Sequence, residues 1–154
     1  LALRTGKKVG IRTKLAAGYQ AGISSEETYH RFIQQLSHVN KYQSLILAHR
    51  VQLDQTLFKN DNTEYRIRYR LTAEFPLSGQ IIDPNEFFVK ISNEYLNSTQ
   101  NKEYQLEIRA VGYIGYVFSP KSMLEFGLDN RMDSFMNERV RNRLWLGLNF
   151  YQSF

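Results

Sequence analysis

YRIRYRLTAEF, running from Tyr65 to Phe75, decides the fold. Its odd positions are Tyr65, Ile67, Tyr69, Leu71, Ala73 and Phe75, and its even positions are Arg66, Arg68, Arg70, Thr72 and Glu74. One face is apolar and the other ionic, a period of two that only an extended strand displays. The same alternation closes the chain, where Val140, Leu144, Leu146, Leu148, Phe150 and Phe154 oppose Arg141, Arg143, Asn149, Tyr151 and Ser153, with Asn142 and Gln152 interrupting the apolar side. It recurs from Leu45 to Leu57, Phe87 to Leu96, Tyr104 to Phe118 and Ser122 to Asp133, and more weakly from Val9 to Ile23. Such runs exceed the ~5 or 6 residues of an ordinary soluble strand.

Turn-forming clusters separate the runs: Thr5 to Lys8, Lys59 to Asn62, Pro76 to Pro84, Asn97 to Lys102 and Ser119 to Lys121. Ser24 to Tyr42 reads two ways. Ser24 with Glu27 resembles a capping box, and Tyr29, Phe32, Ile33, Leu36 and Val39 fall at helical spacing, whereas a strand here keeps the antiparallel count even. With strands starting at Val9, Tyr29, Gln43, Tyr65, Asn85, Glu103, Ser122 and Glu138, the expectation is an all-β, up-and-down antiparallel barrel of eight visible strands in one domain, 1–154.

Composition narrows the chemistry. The chain has 154 residues, a formal charge of +5, no cysteine and three histidines, His30, His38 and His49. Disulfide scaffolds, thiolate metal sites and thiol nucleophiles are therefore excluded. No stretch reaches the ~20 apolar residues of a transmembrane helix.

A barrel of long amphipathic strands can face its apolar side inward onto a ligand or outward into lipid. Lysine is largely confined to turns, at Lys7, Lys8, Lys41, Lys59, Lys102 and Lys121, while arginine mixes with acids on the strand faces. Planar guanidinium suits enclosed, multiply bonded ion pairs. The expected interior network comprises Arg50, Asp54, Arg66, Arg68, Arg70, Glu74, Glu94, Glu107, Arg109, Glu125, Asp129, Arg131, Asp133, Arg141 and Arg143. Aromatics near strand ends, among them Tyr65, Phe75, Phe87, Tyr95, Tyr104, Tyr116 and Phe118, fit interfacial girdles.

The final strand, LWLGLNFYQSF, resembles the C-terminal assembly signal of bacterial outer-membrane barrels, carried here by Leu144, Leu146, Leu148, Phe150 and Phe154. Together with HRVQLDQTLF, YRIRYRLTAEFPL, FFVKISNEYL, VGYIGYVFSPKSMLEFGLDNR and RNRLWLGLNFY, the chain from Tyr29 to Phe154 resembles a bacterial family of outer-membrane barrels of unknown function. That resemblance implies a transmembrane β-strand protein of the Gram-negative outer membrane, in contact with its lipid, and brings no catalytic residues. The expectation is a non-enzymatic barrel whose short polar connections point to a larger outer-membrane complex as partner. Barrel parity makes Ser24 to Thr28, Lys59 to Glu64, Asn97 to Glu103 and Arg131 to Glu138 the extracellular connections. It also makes Leu1 to Leu3 the tail of an earlier strand, so the expected native barrel has ten or more.

Other chemistries find little support. The histidines lack an i+2 or i+4 partner for a metal, and no cofactor motif is present. Lipid A deacylases, the enzymatic rival, place His and Ser close together on one strand face, but two residues after each histidine stand Phe32, Asn40 and Val51. Tyr65 and Tyr69 lie opposite Arg66, Arg68 and Arg70, so base stacking and phosphate contact could not share one surface, which argues against nucleic acid. A barrel of eight or ten strands filled by these side chains is plugged rather than an open pore. A soluble lipocalin-like ligand-binding barrel remains the alternative, with an apolar interior.

Overall fold

A computed structural model describes residues 1–23, 28–135 and 139–153. All its regular elements are strands: β1 (Ala2–Lys8), β2 (Thr13–Ile23), β3 (Thr28–Tyr42), β4 (Leu45–Phe58), β5 (Glu64–Pro76), β6 (Phe87–Gln100), β7 (Glu103–Ser119), β8 (Ser122–Asp133) and β9 (Arg141–Gln152). They form a single sheet in sequence order, each strand antiparallel to the next.

The stretch from Thr28 to Tyr42 is strand, with Tyr19 opposite Phe32 and Leu36 opposite Val51. Neighbours on both sides override the local helical spacing, because a ladder supplies partners for every backbone group of β3. The Ser24–Glu27 capping box lies outside the described residues. Thr5 to Lys8, expected as a turn, belongs instead to β1 and pairs with Lys14 to Ala17, moving the connection to residues 9–12. The expected loop from Asn97 to Lys102 shrinks to Asn101 and Lys102, both with positive φ, the two-residue geometry that matches strand twist.

One face of the sheet encloses and the other is exposed. Asp54, Thr56, Phe88, Glu94, Leu96, Val117 and Glu125 are buried, and the register puts all of them on the face that carries Arg66, Arg68 and Arg70. A single layer has no second layer to cover it, so this burial comes from curling. Arg50 on β4 reaches Glu94 on β6 at 2.8 Å across β5, and Lys90 on β6 reaches Glu125 on β8 at 2.8 Å across β7. Strands two apart in a sheet are separated by roughly 9.5 Å, so these contacts draw the ionic face concave. Glycine permits the closest approaches: a Cβ at Gly115 would stand 2.2 Å from the Phe88 ring, and one at Gly127 would stand 1.9 Å from the Gly112 carbonyl oxygen. The convex face displays Phe32, Leu36, Val51, Leu53, Ile67, Ile91, Ile114, Phe126, Leu128 and Leu146, all exposed.

The expected closed barrel does not form. β1 pairs with β2 and β9 with β8, and among the described residues the two outer strands share no ladder. The sheet has nine strands and two open edges rather than eight strands and none. This corrects the functional expectation as well, because hydrocarbon tolerates strands only when closure satisfies every backbone N–H and C=O. The transmembrane barrel, its plugged lumen, the outer-membrane location, and lipid and a larger outer-membrane complex as partners all rested on closure and fall with it. No helix of the described residues is long and apolar enough to cross a membrane, a statement about helices alone.

Candidate functional site

The concave face is built from rows of residues in register. One row runs Arg50, Arg70, Glu94, Arg109, Arg131 and Arg143 across six strands. Arg50 stands directly opposite Arg70, an arrangement that repels unless an anion lies between them. Glu94 is that anion. Its Oε2 accepts from Arg50 Nη2 at 2.8 Å and Arg70 Nε at 2.7 Å, and Arg109 Nη1 lies 3.5 Å from Oε1. Burial pushes the Glu94 carboxyl up, and Arg70 and Arg50 outweigh it, so the carboxyl sits below its ordinary value.

Asp54 anchors the neighbouring cluster, accepting from Gln52 Nε2 at 2.9 Å with Arg68 Nη2 at 3.1 Å and Arg66 Nε at 3.9 Å. Arg50, Arg66 and Arg68 all have lowered pKa values, through burial first and then mutual repulsion among the arginines. Glu125 accepts from Lys90 Nζ at 2.8 Å and Tyr151 Oη at 3.3 Å, and Lys90 also lies 3.5 Å from Glu74. Burial lowers the Lys90 ammonium, but the Glu125 hydrogen bond and charge raise it above its ordinary value. Nearer the edge, Arg109 pairs with Glu107 at 2.6 Å, Arg131 with Asp129 at 2.8 Å and Arg141 with Asp133 at 3.1 Å, and Arg143 also reaches Asp133. All fifteen ionic residues singled out in the sequence thus share one face, distributed over these clusters.

Chemically this face is a lattice of ion pairs. Its buried carboxylates Asp54, Glu94 and Glu125 are each held by a cation. The histidines lie on the opposite, convex face: His49 Nδ1 is 2.9 Å from Tyr69 Oη, His38 Nδ1 is 2.9 Å from Thr13 Oγ1, and His30 Nδ1 is 2.6 Å from Tyr19 Oη. No metal-holding group of His, Cys, Asp or Glu occurs among the described residues. A polar cavity of about 580 Å³ opens by Ser98, Glu103, Glu107, Asp133 and Arg141, but Glu107 and Asp133 are already ion-paired.

The convex face carries a second feature that the sequence did not reveal. Across β1 to β4, Lys7, Leu15, Leu36 and Val51 form one row and Thr5, Ala17, Gln34 and Leu53 the next. Between them lies an open groove of about 480 Å³, lined by these residues. Its only legible signal was Ala17, the small residue between Leu15 and Tyr19 on the convex side of β2, which lowers the floor between larger side chains. At the far side of the same face, Leu144, Leu146, Leu148 and Phe150 of β9 are 63 to 75% exposed, while Phe154 lies outside the described residues.

No curated protein and no solved structure matches the chain. The open sheet replaces the outer-membrane barrel that the sequence resembled. A family model described as Protein of unknown function (DUF2490) matches residues 2–143, so the chain belongs to that family.

Proposed function

We propose that this chain is a non-enzymatic ligand-binding domain whose convex groove takes a single-chain amphiphile with an anionic head. The observation that carries this reading is the groove itself. Leu15, Ala17, Leu36, Val51 and Leu53 supply an apolar floor, and Lys7 stands on its rim as a cation beside the hydroxyl of Thr5. A volume of about 480 Å³ falls within the ~300 to 1,000 Å³ typical of small-molecule sites. Burying apolar surface against these exposed side chains supplies the driving force, and Lys7 supplies orientation.

The alternative reading of the sequence placed a ligand inside a lipocalin-like barrel. Here the enclosed face is ionic, so an apolar ligand is placed on the convex side. The non-enzymatic part is supported by the ion-paired state of the concave carboxylates, which leaves no acid or base poised for transfer.

The test is a fluorescence titration with cis-parinaric acid, followed by displacement with palmitate. Saturable binding that Leu36→Glu and Leu53→Glu each weaken at least tenfold is expected. Lys7→Glu should weaken palmitate more than its methyl ester. Binding that survives Leu36→Glu unchanged would remove the groove as the site.

A further inference from the structure

Among the described residues no strand pairs with the outer edge of β9, and the pattern of that edge specifies what can pair with it. Ser153 donates its N–H to the Lys121 carbonyl at 2.8 Å, so the odd residues of this strand point their backbone groups at β8. The even residues, Asn142, Leu144, Leu146, Leu148, Phe150 and Gln152, therefore direct N–H and C=O outward to the free edge. Their side chains lie on the convex apolar face. The strand has none of the usual edge protections, neither proline nor lysine, and its pairing with β8 runs without a bulge.

We propose that β9 is a self-association edge, pairing antiparallel with β9 of a second copy about a two-fold axis through Gly147. In that register Leu146 faces the partner's Leu148, Leu144 faces the partner's Phe150, and Asn142 faces the partner's Gln152. The two polar interruptions of the apolar side thus meet each other, and every apolar residue between them meets an apolar one. Shifting the axis to Leu146 sets Asn142 against the partner's Phe150 and loses this match. On the concave side Arg143 falls opposite the partner's Tyr151, so no arginine faces an arginine. β1 is the poorer occupant. The mutual hydrogen bonds of Leu1 with Ala21 leave its even residues facing outward, and these include Arg4 and Lys8 of the concave face. Antiparallel pairing with β9 would turn both cations onto the apolar face, and parallel pairing would set them on the face of Arg141 and Arg143. Only the two-fold arrangement satisfies backbone, apolar pattern and charge together, and it closes at two copies rather than propagating.

Cysteine cross-linking tests the register in a chain that has no cysteine of its own. Trp145 and the partner's Asn149 form a pair without mutual hydrogen bonds, with Cα atoms about 4.5 Å apart, within reach of a disulfide. Oxidation of Trp145→Cys/Asn149→Cys should yield a dimer on a non-reducing gel, with at least tenfold less from Trp145→Cys/Tyr151→Cys, which is one register out of step. Leu146→Pro removes an outward N–H and leaves the β8 ladder intact, so adding it should abolish the cross-link. The same substitution alone should convert a wild-type dimer to a monomer in sedimentation velocity. A monomeric wild type, equal cross-linking of both cysteine pairs, or a dimer indifferent to Leu146→Pro each overturns the proposal.

Discussion

Replacing Glu94 by Gln removes the one anion that separates Arg50 from Arg70, and the consequence follows from the geometry. Glu94 is 1% exposed and accepts two charge-assisted hydrogen bonds, at 2.8 and 2.7 Å. Glutamine keeps a single carbonyl acceptor, so one bond survives in neutral form and the arginines stand opposite each other unneutralised. Removing one partner of a buried pair costs about 3 to 5 kcal/mol. The Arg50 and Arg70 side chains are each 32% exposed, so water offsets part of the repulsion and the expected loss is near the lower figure, about 3 kcal/mol. Urea unfolding at pH 7 should show the midpoint fall with the slope unchanged. The sign of the pH dependence is a second check. The folded carboxyl lies below its ordinary value, so its stabilisation is present above the unfolded pKa of about 4.3 and is lost as pH falls through the folded value. Wild type should therefore lose stability on acidification more steeply than Glu94→Gln. A loss under about 1 kcal/mol at pH 7, or parallel pH profiles, would refute the view that Glu94 holds the concave arginines together.

Lys90→Met should destabilise by a similar ~3 kcal/mol, because it strips Glu125 of its 2.8 Å partner at 1% exposure, and thermal denaturation would read it. Since Lys90 is raised, its stabilisation is complete below the unfolded pKa of about 10.4 and is lost as pH climbs through the folded value, so wild type should show an alkaline transition that Lys90→Met lacks. Gly127→Ala should cost about 1 to 3 kcal/mol or more, since its Cβ meets the Gly112 carbonyl oxygen at 1.9 Å, whereas Gly112→Ala, with nothing within 4 Å, should be neutral or slightly stabilising. Equal effects in chemical denaturation would contradict the close approach of β7 and β8 at that point.

The concave positions of Arg66, Arg68 and Arg70, and the convex positions of Tyr65, Ile67 and Tyr69, were readable from sequence, because strand geometry sends alternate side chains to opposite faces whatever lies beyond them. The meander order was equally legible, since short connections leave consecutive strands little choice but to be neighbours. The union of Arg50, Arg70 and Arg109 on Glu94 was not, for it depends on the register between strands up to 59 residues apart and on a curl that no single strand encodes. Thr5 to Lys8 became strand, and Thr28 to Tyr42 escaped helix, only because a neighbouring ladder was available to each. Closure was likewise a tertiary outcome: alternation says which face is apolar, but whether β1 meets β9 depends on curvature accumulated over the whole sheet. Local chemistry thus determined strands and faces, while long-range pairing decided the open edges and the groove across β1 to β4 on which the proposed functions rest.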